Sequence, residues 1–460
     1  MMGTRSAAQG SLFYEFSLEN HVPADHLLRS IDRFVDLSDI RRRLAPFYSS
    51  TGRPSIDPEL MIRMLLVGYC LGIRSERRLC EEVHLNLAYR WFCRLDLSGP
   101  VPDHSTFSKN RHGRFRDSDL FRQLFEAVVA RCISEGLVGG ETFAADASLI
   151  RADANRQYSA PQPLWEQARI EAASAPRAVR EYLEVLDDAA FGAASDTQPK
   201  FMSYADPAAQ WTGAKKGPAH FAYADNYLID TDHAVIVDVE ATRAIRQAEV
   251  GSVRTMIERT KERFDLSPKR LAADTAYGSG EMLGWLVDEA GVEPHIPVID
   301  RSLRSDGTFS ASDFAFDTEA DQYTCPAGNL LKKYWRDMTV PRTGITRDGF
   351  RRYFASKSDC STCPLKDKCC PGQPARTITR HIHEAARDIA RRLAGTEEYA
   401  EASRRRKKVE MLFAHLKRIL RLDRLRLRGP NGARDEFHLA ATAQNLRKMA
   451  KLIPMPPVTA

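Results

Sequence analysis

The segment RRRKKVEMLFAHLKRILRLDRLRLR, residues 404–428, decides how the rest of the chain is interpreted. Its apolar residues recur at helical spacing, and they are Val409, Leu412, Phe413, Leu416 and Leu420. Side chains spaced in this way share one stripe of a helix. The segment therefore predicts an amphipathic helix with a single buried face.

A second face of the same helix carries Arg406, Glu410 and Lys417, which lie at i, i+4 and i+11. The segment has eleven basic residues and only two acids, Glu410 and Asp423. Glu410 has two interpretations. It either forms an i,i+4 ion pair on a solvated surface, or it binds a metal ion that faces a phosphate held by the neighbouring cations. The second interpretation requires partner carboxylates elsewhere in the chain.

The composition limits the class of protein. A length of 460 residues exceeds what one hydrophobic core accommodates, so we expect about two to four domains. The formal charge of +6 is modest, but the basic residues concentrate near the C-terminus, where a polyanion can bind. The longest apolar run, Met64–Ile73, is too short to cross a bilayer and follows no secretory leader pattern. Nine scattered cysteines, an odd number, favour a reducing cytoplasm over a disulfide framework.

The chain up to about residue 135 predicts an all-helical domain. Asp57 and Pro58 fit the cap and the first turn of its main helix. The buried face predicted for that helix consists of Leu60, Met64, Leu65, Tyr69 and Leu71. Further helices are predicted over His26–Val35, Asp39–Leu44, Ser75–Val83 and Leu87–Phe92.

The sequence VPDHSTFSKNRHGRF, residues 101–115, predicts a basic helix capped by Asp103 or Ser105. Its cations, with one residue beyond it, are Lys109, Arg111, Arg114 and Arg116. Short helices followed by a turn and a basic helix are typical of a helix-turn-helix reader of DNA. A helical scaffold domain is the alternative, because basic helices are common.

From Gly140 the hydrophobic period becomes that of strands. The sequence GGETFAADASLI predicts a strand that ends at Asp146, and a variable stretch over residues 151–217 follows with one helix, Glu166–Leu186. The later elements are a hairpin with its turn at Asp230–Asp232, a helix over Gln247–Phe264, a strand leading into a turn at Asp274–Gly280, and a short strand over His295–Ile299. This order indicates a mixed sheet flanked by helices, an α/β arrangement.

Two acids follow apolar strands in FAADAS and LAADTAYGS, and they are Asp146 and Asp274. A carboxylate at such a place is usually a helix cap or a turn former. It can also point into a cleft at the sheet edge. Together with Glu410, the two aspartates make a set that can bind two divalent cations for phosphoryl transfer. Mg²⁺ suits this set because it prefers oxygen ligands and keeps water positions open for a phosphate.

A cysteine-rich stretch lies between Asp274 and Glu410, in YTCPAGNLL and DCSTCPLKDKCC. Its thiols are Cys325, Cys360, Cys363, Cys369 and Cys370. They are either separate thiols or the ligands of a structural zinc ion, since Cys360 and Cys363 have zinc-knuckle spacing. We favour Cys325 and Cys369 as the remaining ligands, with Cys370 as the alternative to Cys369. The other cysteines, predicted to lie in the core, are Cys70, Cys80, Cys93 and Cys132.

The ordered set DHSTFSKNR, FAADAS, GPAHFAYADNY, LAADTAYGSGE and VEMLFAHLKRIL resembles a DDE transposase of a bacterial insertion sequence, most closely the insertion-sequence family numbered eleven eighty-two. The resemblance covers most of the chain, and related transposases resemble its cysteine pattern too. It implies a ribonuclease-H-like core with Asp146, Asp274 and Glu410 as catalytic, metal-binding residues. Arg406, Glu410 and Lys417 match the family's spacing around the third acid. The family's tyrosine position is Ser403 here, and the nearest tyrosine is Tyr399.

The predicted architecture is an α/β protein with a ribonuclease-H-like mixed sheet core, an N-terminal all-helical domain and a Cys-rich insertion domain. The domains are residues 1–135 (helical, DNA-binding), 136–300 (core, first part), 301–395 (insertion) and 396–460 (core, C-terminal helices). The predicted zinc ligands are Cys325, Cys360, Cys363 and Cys369, and the predicted phosphate-binding or DNA-binding residues are Arg406, Lys417, Lys109, Arg111 and Arg114.

The function expected from the resemblance is a transposase that cleaves the ends of its element and joins their 3′-OH groups to target DNA. It would use two Mg²⁺ ions, or Mn²⁺. Its partner would be double-stranded DNA, bound by a homodimer, with no membrane association. The expected location is the cytoplasm of a bacterium, at the nucleoid. The alternatives are a DNA-binding relative without catalysis and a nuclease that cuts without joining.

Overall fold

The computed structural model describes residues 16–49, 51, 55–167, 174–188, 190–191, 199–213, 217–299, 305–335, 344–346 and 349–455. The chain divides into two compact units. The first comprises Met1–Gly139, Asp146–Leu266 and Lys408–Ala460, and the second comprises Gly140–Ala145 and Ser267–Lys407. The expected mixed α/β protein with a helical N-terminal region is confirmed. The four predicted domain boundaries stay predictions, and Asp300, near one of them, lies outside the described residues.

The N-terminal region of the first unit is helical, as predicted. Its helices are α1 (Leu18–His21), α2 (Leu27–Asp32), α3 (Ile40–Leu44), α4 (Pro58–Leu71), α5 (Glu76–Leu85), α6 (Leu87–Phe92), α7 (His104–Asn110) and α8 (Leu120–Ser134). A wider, π-helical turn over Arg111–Phe115 continues α7. Asp103 caps α7 by accepting the N–H of Ser105 (2.9 Å), so one of the two predicted caps is confirmed.

Helix α4 is the centre of this helical region. Asp57 Oδ1 accepts the N–H of Glu59 (3.0 Å), and Pro58 occupies the first turn, as predicted. The predicted single buried face is too narrow, because every residue from Met61 to Cys70 is buried, whereas Leu60 and Leu71, predicted for that face, are only half-buried. The reason is tertiary: α3, α5, α6 and the later helix α17 (Gly429–Leu452) all pack against α4.

The first unit also contains strands. They are β1 (Thr142–Arg151, from Asp146 onward), the short pair β2 (Ser159–Ala160) and β3 (Met202–Ser203), β4 (Gln210–Thr212), β5 (His220–Asp230) and β6 (Ile236–Arg243). Strands β5 and β6 form the predicted hairpin, with Thr231–His233 in its turn. Helix α11 (Arg246–Phe264) packs against both strands of the hairpin, and α17 packs against β6. The hairpin is therefore buried between helices.

Strand β1 differs from its prediction. Its predicted end at Asp146 is wrong, because the strand continues to Arg151 and Asp146 lies in its middle. The far end of β1 has hydrogen-bond partners that the local sequence does not show. The N–H of Ala152 donates to the carbonyl of Phe221 (2.9 Å), and the N–H of Leu425 donates to the carbonyl of Arg151 (2.8 Å).

The variable stretch also differs from its prediction. In place of one helix over Glu166–Leu186, the structure has α9 (Gln162–Gln167) and α10 (Arg177–Glu184). Pro176, with ψ of 150°, precedes α10 as its cap, and this extended backbone interrupts a continuous helix. The part of the predicted helix over residues 168–173 lies outside the described residues.

In the second unit, the first residues of β1 pair in parallel with β7 (Arg270–Ala272), which pairs in parallel with β8 (Glu293–His295). The complete strand order is β4-β5-β1-β7-β8, with β6 on β5. The predicted strand His295–Ile299 begins earlier and ends at His295. Ile299 instead donates its N–H to the carbonyl of Gly278 in the turn after β7 (2.9 Å).

The rest of the second unit is a small α/β module. Its antiparallel sheet has the order β13-β12-β11-β10-β9. The strands are β9 (Ala315–Asp317), β10 (Gln322–Thr324), β11 (Leu330–Lys332), β12 (Phe350–Ala355) and β13 (Thr377–His381). The helices are α12 (Gly280–Gly284), α13 (Lys357–Ser361), α14 (Lys366–Cys369) and α15 (Glu384–Leu393). Tyr323, Leu331, Tyr353 and Ile378 bury one face of the sheet together with Cys369 and Cys370.

Helix α16 (Glu397–Arg418) begins in the second unit and continues into the first. The predicted apolar stripe is confirmed inside the helix, since Val409, Leu412, Phe413 and Leu416 are buried. Leu420 is buried too, but the helix ends at Arg418, so the helix predicted over residues 404–428 is too long at its C-terminal end. Helix α17 begins at Gly429. Pro430 in its first turn and the carboxylate of Asp206, which accepts the N–H of Gly429 (3.2 Å), favour this start.

Candidate active site

Glu410 lies on the part of α16 that belongs to the first unit, where α16 runs along β5. The ammonium group of Lys408 donates to the carbonyls of Thr231 (2.6 Å) and Asp232 (2.9 Å) at the hairpin turn. Five residues further along the helix, the ring of Phe413 stacks on Tyr227 with centroids 4.7 Å apart. The helix and the strand therefore run in opposite directions. Glu410, which is exposed, comes between these two anchors.

Asp146 lies on β1, the neighbour of β5 in the sheet, and is half-buried. The bond from Ala152 to Phe221 joins the end of β1 to the beginning of β5. Neighbouring strands joined in this way run antiparallel. At the end of the strand, the N–H of Arg151 donates to the carbonyl of Asp423 (3.2 Å). The segment after α16 thus pairs with the end of the strand that carries Asp146.

Asp274 lies in the second unit, two residues after β7. Its Oδ1 atom accepts the N–H of Ala276 (2.7 Å), so it caps the turn Thr275–Tyr277. The turn-forming interpretation is therefore correct. The side chain is nevertheless exposed, which leaves room for a second role. Asp146 and Glu410 belong to the other unit, and the joining of all three acids in one site stays a prediction.

The cations around Glu410 differ in their surroundings. Arg406 and Lys417 are both half-buried on α16, at the predicted spacing from Glu410. Burial lowers the pKa of Lys417, while the negative charges of Asp225 and Asp423 act against that effect. Lys417 is thus a half-buried cation, and the charges of Asp225 and Asp423 favour its protonated form.

The three N-terminal cations that are predicted to bind DNA differ in their exposure to solvent. Lys109 is exposed at the end of α7. Arg114 keeps a partly exposed side chain while it donates to Asn110 Oδ1 (2.5 Å). Arg111 is only 3% exposed and donates to Glu76 (2.9 Å) and to the hydroxyl of Tyr69 (2.7 Å). Arg111 is therefore a buried ion-pair partner, and only Lys109 and Arg114 face solvent.

The five cysteines of the second unit line a single cavity, which Lys366 and Arg376 also line. Burial raises the pKa of Cys369 to about 11, and the neighbouring Cys370 thiol adds to this effect. Among the described residues, however, no three His, Cys, Asp or Glu side chains are arranged to hold a metal ion. A shared cavity is thus present, whereas zinc binding stays a prediction. The four cysteines predicted to be in the core, Cys70, Cys80, Cys93 and Cys132, are buried, as expected.

Ser403 and Tyr399 both lie on the part of α16 that belongs to the second unit. The ring of Tyr399 stacks on the buried imidazole of His295, with centroids 5.7 Å apart and planes 26° apart. Tyr399 therefore has a packing role at the end of β8. Ser403 is half-buried on the same helix, and its role at the family's tyrosine position stays open.

One acid in the first unit escapes the sequence reasoning. Asp225 of β5 is completely buried, and neither of its carboxylate oxygens has a hydrogen-bond partner among the described residues. The signal was present in FAYADNYLI, where an acid occupies the alternate strand position between two tyrosines. Alternation in the sequence does not show that this face of the strand is completely buried, because the burial depends on elements that are distant in the sequence.

Two family models match the chain. Residues 16–113 match one described as "Transposase domain (DUF772)", and residues 324–450 match one described as "Transposase DDE domain". No curated protein matches the chain. Among the described helices, none is long and apolar enough to span a membrane.

The two matches cover different parts of the candidate site. The first includes the helical region with Lys109, and the second includes Glu410 and Lys417, while Asp146 and Asp274 lie in neither. Neither match distinguishes the insertion-sequence family numbered eleven eighty-two, so that narrower assignment stays a prediction. With a transposase domain near the N-terminus and a DDE domain that contains α16, the chain belongs to the DDE transposases of insertion sequences.

Proposed function

We propose that this transposase cleaves the ends of its insertion sequence and joins the resulting 3′-OH groups to target DNA. The observation that carries the proposal is the packing of α16, inside the DDE match, against β5, the neighbour of β1 in the sheet. This packing brings the elements that carry Asp146 and Glu410 into one compact unit.

The strand register supports a shared face for these two acids. If the antiparallel register set by Ala152 and Phe221 continues without a bulge, Asp146 stands opposite Tyr227. Opposed residues of neighbouring strands point to the same face of a sheet. Tyr227 stacks on Phe413 of α16. Asp146 would then point to the face on which α16, with Glu410, lies.

Asp274 is proposed as the third acid. Ala144 of β1 and Ala272 of β7 are paired in the parallel register of the second unit. Asp146 follows Ala144 by two residues, and Asp274 follows Ala272 by two. This equal offset from two paired residues supports the proposal that Asp146 and Asp274 belong to one acidic set.

The donor set fits hard divalent cations. Asp146 is half-buried and Asp274 and Glu410 are exposed, so their carboxylates keep the access to water that Mg²⁺ ligands need. When bound, two Mg²⁺ or Mn²⁺ ions would supply charge stabilisation for the attacking and leaving oxygens of phosphoryl transfer. Arg406 and Lys417 would bind the flanking phosphates and orient the strand. The protein thus acts by positioning and charge, without a covalent intermediate.

Lys109 and Arg114 would contact the phosphates of the element ends through the N-terminal helical region. Two DNA ends require two active sites, so we propose a homodimer on DNA.

Cys325, Cys360, Cys363 and Cys369 would hold a structural zinc ion, since they line one cavity. A reducing bacterial cytoplasm suits the nine free thiols.

The test is strand cleavage of a labelled duplex that carries the element's own ends, with Mg²⁺. We expect Asp146→Asn, Asp274→Asn and Glu410→Gln each to lower the cleavage rate on the order of 10³-fold, with DNA binding retained. Glu401→Gln is the matched control, because Glu401 is an exposed acid of the same helix that pairs with Arg405.

The same assay separates the other candidate functions. Binding without cleavage in the wild type would favour a non-catalytic DNA-binding protein. Cleavage without transfer of the 3′-OH end to a target duplex would favour a nuclease. Cleavage that persists in Glu410→Gln would show that this carboxylate is not part of the site.

A further inference from the structure

Exposed arginines lie together where the far end of β1 meets the segment that follows α16. Arg151, the last residue of β1, is paired with Arg424 in a parallel β-bridge. Arg426 and Arg428 follow Arg424 at alternate positions. All four side chains are exposed to solvent. These four residues are referred to below as the arginine cluster.

The backbone of the segment after α16 is fixed by buried groups. Leu425 and Leu427, which alternate with the arginines, are buried. The carboxylate of Glu436 on α17 is completely buried and accepts the N–H groups of Arg426 and Leu427 (2.6 Å each). Glu436 also forms an ion pair with Arg74. The arginines of the segment therefore extend from a backbone that is held in place by several partners.

The pair of Arg151 and Arg424 brings two like charges together. Paired residues of neighbouring strands point to the same face, where like charges destabilise the fold. Asp153 offsets part of this charge, since its Oδ1 accepts a hydrogen bond from Arg424 (2.6 Å) and its Oδ2 accepts one from Arg428 (2.9 Å). One carboxylate does not neutralise the cluster, but it shows that an oxyanion fits between Arg424 and Arg428.

The arginine cluster is joined to the N-terminal helical region. The guanidinium group of Arg116 donates to the carbonyl of Arg428 (2.7 Å). Both residues belong to the first unit, as do Asp146 and Glu410. The cluster therefore borders the helical region that is proposed to contact the element ends, and it lies at the end of the strand that carries Asp146.

We propose that the arginine cluster binds the phosphate backbone of the duplex at the element end. Guanidinium groups suit this partner because they form charge-assisted, paired hydrogen bonds with phosphate oxygens. Several cations on a fixed backbone also suit a polyanion whose charges are regularly spaced. The link to Arg116 favours the element end over target DNA. This role rests on the proposed function, which supplies the DNA.

The binding role is tested by the salt dependence of the affinity for a duplex with the element's ends, measured by fluorescence anisotropy. Arg424→Gln combined with Arg428→Gln should make the slope of log K against log salt less steep by about 1.8, because each lost phosphate contact accounts for about 0.9. Arg424→Lys combined with Arg428→Lys keeps both charges and should keep the slope. An unchanged slope in the glutamine variant would overturn the proposal.

The matched control is Arg131→Gln combined with Arg254→Gln, on α8 and α11. These side chains are 48% and 51% exposed, against 57% and 51% for Arg424 and Arg428, and each likewise has an acidic partner. The control removes the same charge from the same unit and should leave the slope unchanged. An equal change in both double variants would mean that net charge alone attracts the DNA, which contradicts a specific surface.

Thermal unfolding without DNA separates a binding role from a structural one. Arg424→Gln removes one charge of the like-charged pair with Arg151, together with a half-exposed ion pair that contributes little to stability. We therefore expect its Tm to stay within about 2 °C of the wild type. A loss of about 5 °C or more would show that the cluster stabilises the fold, and it would overturn the proposal.

The joining reaction distinguishes the element end from target DNA. With the element ends saturating, the KM for a target duplex should be the same in the glutamine double variant and in the wild type. A raised KM for the target, with an unchanged salt slope for the element ends, would assign the cluster to target DNA and overturn the proposal. Absence of cleavage and joining in the wild type, with the salt result as expected, would count against the proposed function alone.

Discussion

Asp435 of α17 carries a carboxyl group whose Oδ2 atom is buried without a hydrogen-bond partner among the described residues. Burial raises its pKa to about 8, with Glu181 and Glu436 adding to the effect and nearby arginines opposing it. The native state therefore keeps this proton up to about pH 8, whereas the unfolded chain loses it near about pH 4. Its contribution to stability is fully present below about pH 4 and is lost as the pH rises to about 8.

Asp435→Asn cannot ionise and should remove this pH dependence. We expect the Tm of the variant to rise relative to wild type by about 5 °C or more between pH 5 and pH 8. Thermal unfolding at several pH values measures it, with the exposed Asp25→Asn as a control. A difference in Tm that stays constant across this range would contradict the buried, protonated state of Asp435.

The burial of single residues is not determined by the local sequence pattern. Arg111 and Lys109 look alike in the sequence, yet one is buried against Glu76 and Tyr69 and the other is exposed. Helical spacing predicts which face of a helix carries a side chain. It does not predict which distant segment of the chain packs against that face. Asp225 is a second example, because its complete burial depends on elements that are distant in the sequence.

Helix α4 ends at Gly72, a residue with φ of +70°. A Cβ atom there would lie 2.6 Å from the carbonyl oxygen of Ile419, just after α16. Gly72→Ala should therefore cost more than the about 1–2 kcal/mol of left-handed backbone strain. Gly136→Ala is the matched control, because Gly136 has the same φ of +70° and nothing within 4 Å of its Cβ position. Urea unfolding of both variants measures the difference, and equal losses would contradict the close approach of Gly72 and Ile419.

The cysteine-rich module of the second unit is predicted to bind zinc. We expect about one zinc ion per chain in protein purified without chelator, and less than about half of that in Cys360→Ser or Cys363→Ser. Cys80→Ser, a buried cysteine of the helical region, should keep the zinc. Elemental analysis measures it. Zinc content that is independent of Cys360 and Cys363, or absent in the wild type, would rule out this site.

Elements were predicted best where local signals determine them. Helix α6 has its predicted bounds, Leu87–Phe92, and Asp57 with Pro58 opens α4 as expected. Strand β1 was predicted too short, because its second half is held by Phe221 and Leu425, which are remote in sequence. The helix over Glu166–Leu186 was predicted too long, although Pro176 was visible as a break.

The first unit joins the N-terminal helices to the C-terminal ones. Arg74 forms an ion pair with Glu436 of α17, and Arg122 pairs with Asp238 of β6 (2.5 Å). Helices α2, α4 and α8 pack on α17. Removing residues 1–139 would expose this apolar surface, so we expect that variant to aggregate or to lose cooperative unfolding. Circular dichroism and size-exclusion chromatography measure it, with removal of residues 456–460 as the control. A truncated chain that melts cooperatively and stays monodisperse would contradict this account.

For the whole molecule, the sequence was sufficient for the family and the class of fold, because short motifs in a fixed order are specific together. It also predicted the apolar stripe of α16, which positions Glu410. It did not show that the N-terminal helices and α17 form one unit, since that requires contacts between the two ends of the chain. The convergence of Asp146, Asp274 and Glu410 depends on such long-range placement, and it stays a prediction.

The measurement that tests this convergence most directly is iron-dependent cleavage of the polypeptide itself. Fe²⁺ bound at the Mg²⁺ site, with ascorbate and peroxide, cuts the chain beside its ligands. For the full chain on a duplex with the element's ends, we predict fragments that end near Asp146, Asp274 and Glu410, all suppressed by excess Mg²⁺. Cuts that spare any one of these positions, or that excess Mg²⁺ does not suppress, would contradict a single metal site built from the three acids.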